Sequence, residues 1–129
     1  MSIDEIVTGF HAAMRHKSAD ELAGLYAEDG LHEFPFGEMA PLEGREAVRE
    51  SYRAMWGATP FEADEVRRVS LHRTEDPEVV VVEQTVHGTA GGRELTVPGL
   101  LVLRIRDGRI VHARDYMDFS AIARIRAAG

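Results

Sequence analysis

Asp115 is an acid on what reads as the apolar face of a β-strand. The segment Arg109-Ile-Val-His-Ala-Arg-Asp-Tyr-Met-Asp-Phe119 follows Asp107-Gly108, a dipeptide that closes a hairpin with Leu100 to Arg106. Side chains alternate along a strand, which puts Val111, Ala113, Asp115 and Met117 on one side. Ile110, His112, Arg114, Tyr116 and Asp118 take the other, mostly polar side. A carboxylate among valine, alanine and methionine is costly to bury unless it is paired or its pKa is raised for acid–base work. Asp115 therefore reads as a general acid–base group or a ligand anchor. The structural alternative is an ion pair with Arg45 or Arg114, or a hydrogen bond to a tyrosine or to the tryptophan.

His32 is the second candidate catalytic group. It shares one side of the segment Leu31 to Phe36 with Phe34 and Phe36, where it would enter a pocket and share a proton or a ligand. The alternative is a histidine bonded to helix backbone. Gln84, between Val82 and Val86, offers a neutral hydrogen-bonding partner. The expected substrate-binding set is Phe10, Phe34, Phe36, Tyr52, Trp56, Gln84, Leu101 and Met117. Alternation alone does not separate pocket wall from core for the apolar members, nor for Met55 and Leu103. Tyr26, Tyr52 and Trp56 also fit the role of core aromatics with a satisfied polar tip.

Other chemistries find little support. The six histidines are scattered, none at HxH or HExxH spacing, and His11 and His16 lie five apart, off a common helix face. No metal and no cofactor is expected. Gly91-Gly92 is a hairpin turn rather than a phosphate loop, and no serine carries nucleophile-elbow spacing. The absence of cysteine excludes disulfides, thiol nucleophiles and thiolate metal sites. A net charge of −7 with no basic run argues against nucleic acid as a partner. The N-terminal Met-Ser-Ile-Asp-Glu-Ile-Val is acidic and lacks an apolar signal core, and no stretch approaches the ~20 apolar residues of a membrane span. A cytoplasmic protein with a small hydrophobic ligand is the expectation, as a single domain over residues 1–129.

The elements that position these residues follow from periodicity. Ile3, Ile6, Val7, Phe10 and Met14 form a helical stripe that ends around Arg15 to Lys17. Ser18-Ala-Asp-Glu21 is a capping box for a short second helix carrying Leu22, Leu25 and Tyr26, stopped by Asp29-Gly30. A strand over Leu31 to Phe36 precedes a third helix over Arg45 to Trp56, packed through Val48, Tyr52 and Met55. Four strands then run from about Glu62 to Thr74, Glu78 to Thr89, Arg93 to Arg106 and Arg109 to Phe119. Their breaks are Glu75-Asp-Pro77, Ala90-Gly-Gly92 and Asp107-Gly108. Ser120 is expected to cap a closing helical turn with Ile122 and Ile125 inward. The fold class is α+β, a curved and largely antiparallel sheet folded round helices.

Four motifs in this framework resemble the SnoaL-like branch of the nuclear transport factor two-like superfamily. They are Leu25-Tyr-Ala-Glu-Asp-Gly30, His32-Glu-Phe-Pro-Phe-Gly37, Leu42-Glu-Gly-Arg-Glu-Ala-Val48 and the ending Asp107 to Phe119. The resemblance implies a conical half-barrel, its sheet wrapped round three N-terminal helices, with a deep apolar pocket and a dimer through the outer sheet face. It spans steroid isomerases, polyketide cyclases, epoxide hydrolases, dehydratases and noncatalytic binders, so fold alone does not decide function. In the steroid isomerases the base, the tyrosine and the protonated acid would fall on Phe34, Phe10 and Leu101, and all three polar groups are absent. The limonene-type epoxide hydrolases share the Arg114-Asp115-Tyr116 pattern, but their arginine and second aspartate would fall on Val82 and Gln84. The SnoaL-type cyclases ask for one aspartate in a dry pocket, a role the resemblance gives to Asp115. A noncatalytic binder and a purely structural dimer module stay open beside these enzymes. A homodimer is expected through a face carrying Thr96, Pro98, Leu100, Val102, Arg104 and Arg106, continued by Ile110, His112, Arg114 and Tyr116.

Overall fold

The computed structural model describes residues 1–128. Helix α1 (Ile3–His16) opens on a complete capping box, in which the Ser2 side chain accepts from the Glu5 N–H and the Glu5 side chain accepts from the Ser2 N–H. It ends at Lys17, held in the left-handed region at φ 53°. Helix α2 (Ala19–Ala23) is capped by Ser18 and stops earlier than its apolar pattern suggests. Leu25 and Tyr26 leave the helix because a distant strand claims them. The Leu25 carbonyl accepts from the Ile110 N–H, and the Arg45 guanidinium donates twice to the Tyr26 carbonyl, at 3.0 and 2.9 Å.

Strand β1 (Tyr26–Glu33) thus starts before Asp29-Gly30 and absorbs that pair as an irregularity. It ends before Phe34, where Phe34 to Gly37 turns away from the sheet. A two-residue strand β2 (Leu42–Glu43), not expected from the sequence, leads into α3 (Arg45–Ala58). The meander follows as β3 (Glu62–Arg73), β4 (Val79–Ala90), β5 (Arg93–Arg106) and β6 (Arg109–Tyr116). The closing turn is a helix, α4 (Phe119–Ala128), whose first turn is capped by Asp118 rather than by Ser120.

The six strands form one sheet in the order β2-β1-β6-β5-β4-β3, antiparallel except for the β1–β6 pair. Register shifts in β1, β3 and the β5–β6 pair coil this sheet, as bulges do. One shift alters a facing: Ile105 pairs with Ile110 while Arg104 pairs with His112. Val111 is the extra residue, so Ile110 turns inward with Ala113 and Asp115 and is fully buried. Ile110 therefore does not belong to the outer face, a correction to strict alternation.

Two apolar clusters fill the concave side. The larger joins Ile6, Val7 and Phe10 of α1 with Leu22, Val48, Tyr52 and the inward row Val80, Val82, Leu101, Leu103 and Ile110. The smaller gathers Phe61, Ala90 and Ile125 where α4 folds over the ends of β4 and β5. No helix among the described residues is long and apolar enough to cross a membrane.

Candidate functional site

Strand β6 delivers Asp115 to the concave side, opposite Leu101 of β5. Strand β1 delivers His32 beside Ala113, and α3 lays Tyr52 across both. The Tyr52 hydroxyl donates to Asp115 Oδ2 at 2.6 Å. Its single proton spent there, the same oxygen accepts from His32 Nε2–H at 3.0 Å. The imidazole is then the Nε2–H tautomer, and its Nδ1 accepts from the Tyr26 hydroxyl at 2.6 Å. Every donor in this chain points one way, from Tyr26 through His32 and Tyr52 to the Asp115 carboxylate. His32 Nε2 also lies 3.5 Å from Asp115 Oδ2, too far to replace the tyrosine.

Burial, reinforced by the negative charge of Asp115, pushes both phenols well above the usual tyrosine range. They remain donors throughout the ordinary pH scale. Tyr26 and His32 are completely buried, so the network is packed behind Asp115 and holds it in place.

In front of the carboxylate lies a cavity of about 120 Å³, where the two apolar clusters fail to merge. Cavities of about 150 Å³ accept a benzene-sized guest, so a single ring is the upper limit here and needs the flexible Met14, Met55 and Met117 side chains to give way. Phe10, Met14, Tyr52, Met55, Trp56 and Met117 form one side, and Phe61, Val86, Val97, Ile122 and Ile125 the other. Asp115 and Gln84 bring polar groups to this wall, with Lys17, Thr59 and Asp118 also on it. Lys17 donates to the Thr59 carbonyl at 2.7 Å, fastening the end of α1 to the end of α3. Asp118 is occupied as the α4 cap.

Phe10, Tyr52, Trp56, Gln84 and Met117 meet Asp115 at one cavity. Phe34 and Leu101 do not line it; both are buried core residues. Phe36 is 75 % exposed and stacks on Tyr116, because the chain turns out of the sheet at Phe34. His32 stands behind Tyr52 rather than on the wall. Arg45, one suggested partner of Asp115, is spent on the Tyr26 carbonyl.

Two site residues were missed by reading the sequence. Tyr26 looked like a helical residue. Metal-ligand spacing does not reveal His11, whose distance from Val7 and Met14 places it on the flank of the apolar stripe. It is buried and bonds Gln84 Oε1 through Nε2 at 2.7 Å. Burial lowers its pKa, with the Gln84 bond opposing and the Arg68 charge assisting. No three His, Asp or Glu side chains among the described residues are grouped to hold a metal ion.

Residues 7–113 match the SnoaL-like domain, and the chain belongs to that family, within the nuclear transport factor two-like superfamily. No curated protein matches the sequence significantly. Among solved structures, a Bacillus subtilis protein provisionally called an isomerase is 22% identical with a TM-score of 0.86, covering 98% of this chain and 93% of its own. A Catenulispora acidiphila protein of ketosteroid isomerase-like fold, solved with trimethylamine, is 25% identical with a TM-score of 0.77 over 98% and 95% of the two chains. An epoxide hydrolase of Mycobacterium tuberculosis, of limonene epoxide hydrolase-like type, is 23% identical with a TM-score of 0.68 over 96% and 91%. Identities this low speak for the fold alone.

Proposed function

We propose that the protein binds a small, mainly apolar molecule in this cavity and that Asp115 acts on it as a general acid–base group, in chemistry of cyclase, isomerase or hydrolase type. The observation that carries the reading is a buried carboxylate on a mainly apolar wall, fixed by the Tyr52 hydroxyl, while the wall's other carboxylate, Asp118, caps α4. Such a carboxylate takes a proton from a carbon acidified by a neighbouring carbonyl, or from a hydroxyl or water, and returns it to another atom of the bound molecule. Tyr52 supplies a neutral donor that steadies the anion, and the apolar wall excludes competing water. His32 serves by orienting Tyr52. Phe10, Tyr52, Trp56, Gln84 and Met117 would contact the ligand. No cofactor enters this reading.

Asp115→Asn keeps the shape and removes the titrating group. Once a substrate is found among cyclic ketones, terpenoids and quinones, the variant should lose about 100-fold or more in kcat. Undiminished turnover would remove Asp115 from the mechanism.

A second reading is a noncatalytic binder or sensor of an apolar metabolite. It is favoured by Val82 and Leu101, fully packed where related enzymes carry polar partners, and by Asp118 being tied up as a helix cap. A thermal-shift screen with the same compounds, followed by long incubation and product analysis, separates the two. Stabilisation without chemical change supports the binder. The homodimer through the outer sheet face and the cytoplasmic location are proposed with either reading. Leu100, Val102, Val79 and Val81, half-buried on that face, support the dimer.

A further inference from the structure

Gln84 is a buried polar side chain on the cavity wall, beside Asp115 and Thr59, and its orientation is held from outside the cavity. It projects inward from β4 at the position paired with Gly99 of β5. A Cβ built on Gly99 would sit 3.4 Å from Gln84 Nε2 and 3.5 Å from its Cγ, so the glutamine lies over the bare backbone of that residue. Val82, the next inward residue on β4, pairs with Leu101, which pairs with Asp115. Gln84 and Asp115 thus sit two strands apart, roughly 10 Å across the sheet, and one inward step along it.

The amide is not free to turn. Donation from His11 Nε2–H occupies its carbonyl oxygen at 2.7 Å. His11 comes from α1 and does not line the cavity, so it reaches Gln84 from behind. Both amide hydrogens remain, and the partner drawn to Nε2 is only the soft sulfur of Met14 at 3.7 Å. A thioether is a weak acceptor and does not saturate an NH2 group. With its carbonyl held by His11 behind the wall, the glutamine turns its NH2 side, rather than its oxygen, toward the cavity.

We infer that Gln84 is a ligand-anchoring group selective for a hydrogen-bond acceptor, and that His11 is the positioning residue that fixes this polarity. The ligand class that follows is a compact ring with a carbonyl or ether oxygen at the Gln84 end and a hydroxyl or acidic C–H at the Asp115 end. A purely hydrocarbon ligand would leave the amide hydrogens stranded in an apolar cavity, a cost that discriminates against it. The inference rests on the reading of the cavity as a ligand site and adds the direction in which the ligand lies.

The test uses two phenols, 4-hydroxyacetophenone and 4-ethylphenol, which share a ring and a hydroxyl but differ in the carbonyl. Their Kd values are measured by calorimetry on the wild type, Gln84→Leu, His11→Leu and His11→Gln. Because the phenols differ in acidity, the comparison is the change in their Kd ratio between proteins. Gln84→Leu should reduce the preference for the ketone about fivefold, the worth of one neutral hydrogen bond. His11→Leu should do the same by letting the amide turn, and His11→Gln, which offers an N–H at similar reach, should restore it. An independent readout needs no variant: the carbonyl stretch of bound 4-hydroxyacetophenone should lie below its position in hydrocarbon solvent. A stretch at the hydrocarbon position, or a Kd ratio unmoved by Gln84→Leu, overturns the anchor. A ratio lost in Gln84→Leu but kept in His11→Leu overturns the positioning role of His11. If neither phenol binds the wild type at millimolar concentration, the ligand-site reading falls and this inference with it.

Discussion

At the residue scale, Tyr52 is the joint of the buried network, donating to Asp115 and accepting from His32. Tyr52→Phe keeps the ring and removes both bonds, leaving a buried imidazole N–H and a carboxylate each short of a partner. The expected cost is about 2 kcal/mol, seen as a fall in Tm of roughly 5–10 °C. A melting temperature within a degree of the wild type would mean that the network contributes nothing to stability. Asp115 was legible in the sequence because one acid interrupts an alternating apolar row. Its partners were not, since Tyr52 and His32 reach it from elements whose packing no local pattern records. Gln84 was legible as a polar intrusion between valines, whereas metal-ligand spacing does not reveal His11.

At the element scale, close approach of backbones sets some positions more firmly than hydrophobicity does. Gly88 on β4 lies where a Cβ would stand 2.2 Å from the Glu62 carbonyl oxygen and 2.6 Å from the Phe61 ring. Gly88→Ala must therefore push β3 or Phe61 aside, at a cost of about 1–3 kcal/mol by denaturant titration. The turn between β3 and β4 carries a second test. Arg106 and then Arg104 hold the Glu78 carboxyl down to about 2. A depressed carboxylate pKa stabilises the fold above the unfolded value near 4.5, and the contribution is lost as pH falls from there toward 2. The stability advantage of the wild type over Glu78→Gln should accordingly shrink across that window and vanish only below about pH 1. A difference undiminished between about pH 5 and pH 2 would assign the effect to packing.

Helix and strand types were legible from periodicity, and the turns from their Gly, Pro and Asp pairs. The errors have one cause, long-range pairing that overrides a local signal. Ser18 and Glu21 announce a helix correctly, yet β6 and Arg45 draw Tyr26 into a strand. Strict alternation fails at Val111, where one extra residue turns Ile110 inward.

At the scale of the whole molecule, the outer sheet face carries the proposed dimer. Leu100→Glu or Val102→Glu should convert a dimeric mass in light scattering at tens of micromolar into a monomeric one. A monomeric wild type at that concentration would defeat the dimer. The α+β cone itself was legible from element order, since helices followed by a four-strand meander leave few other ways to cover the sheet. The pocket is expected only from the family resemblance, because it lies where two apolar clusters stop short of each other, and a pattern of apolar residues records filling but not gaps.

The parallel pairing of β1 with β6 has a consequence for how the chain is made. Arg109 donates to the Gly24 carbonyl across 85 residues of sequence, and the Leu25 carbonyl waits for the Ile110 N–H. During synthesis the first three helices emerge with their apolar stripes complete, but the strand that anchors them to the sheet arrives last. Until then only β3 and the inward rows of β4 and β5 offer them a partial floor, without the strand that ties β1 to the sheet. Closing so long a loop early is entropically unfavourable, so folding should be slow for a domain of this size. Through that interval the nascent chain exposes Ile6, Val7, Phe10 and Tyr26, a surface for chaperones to shield.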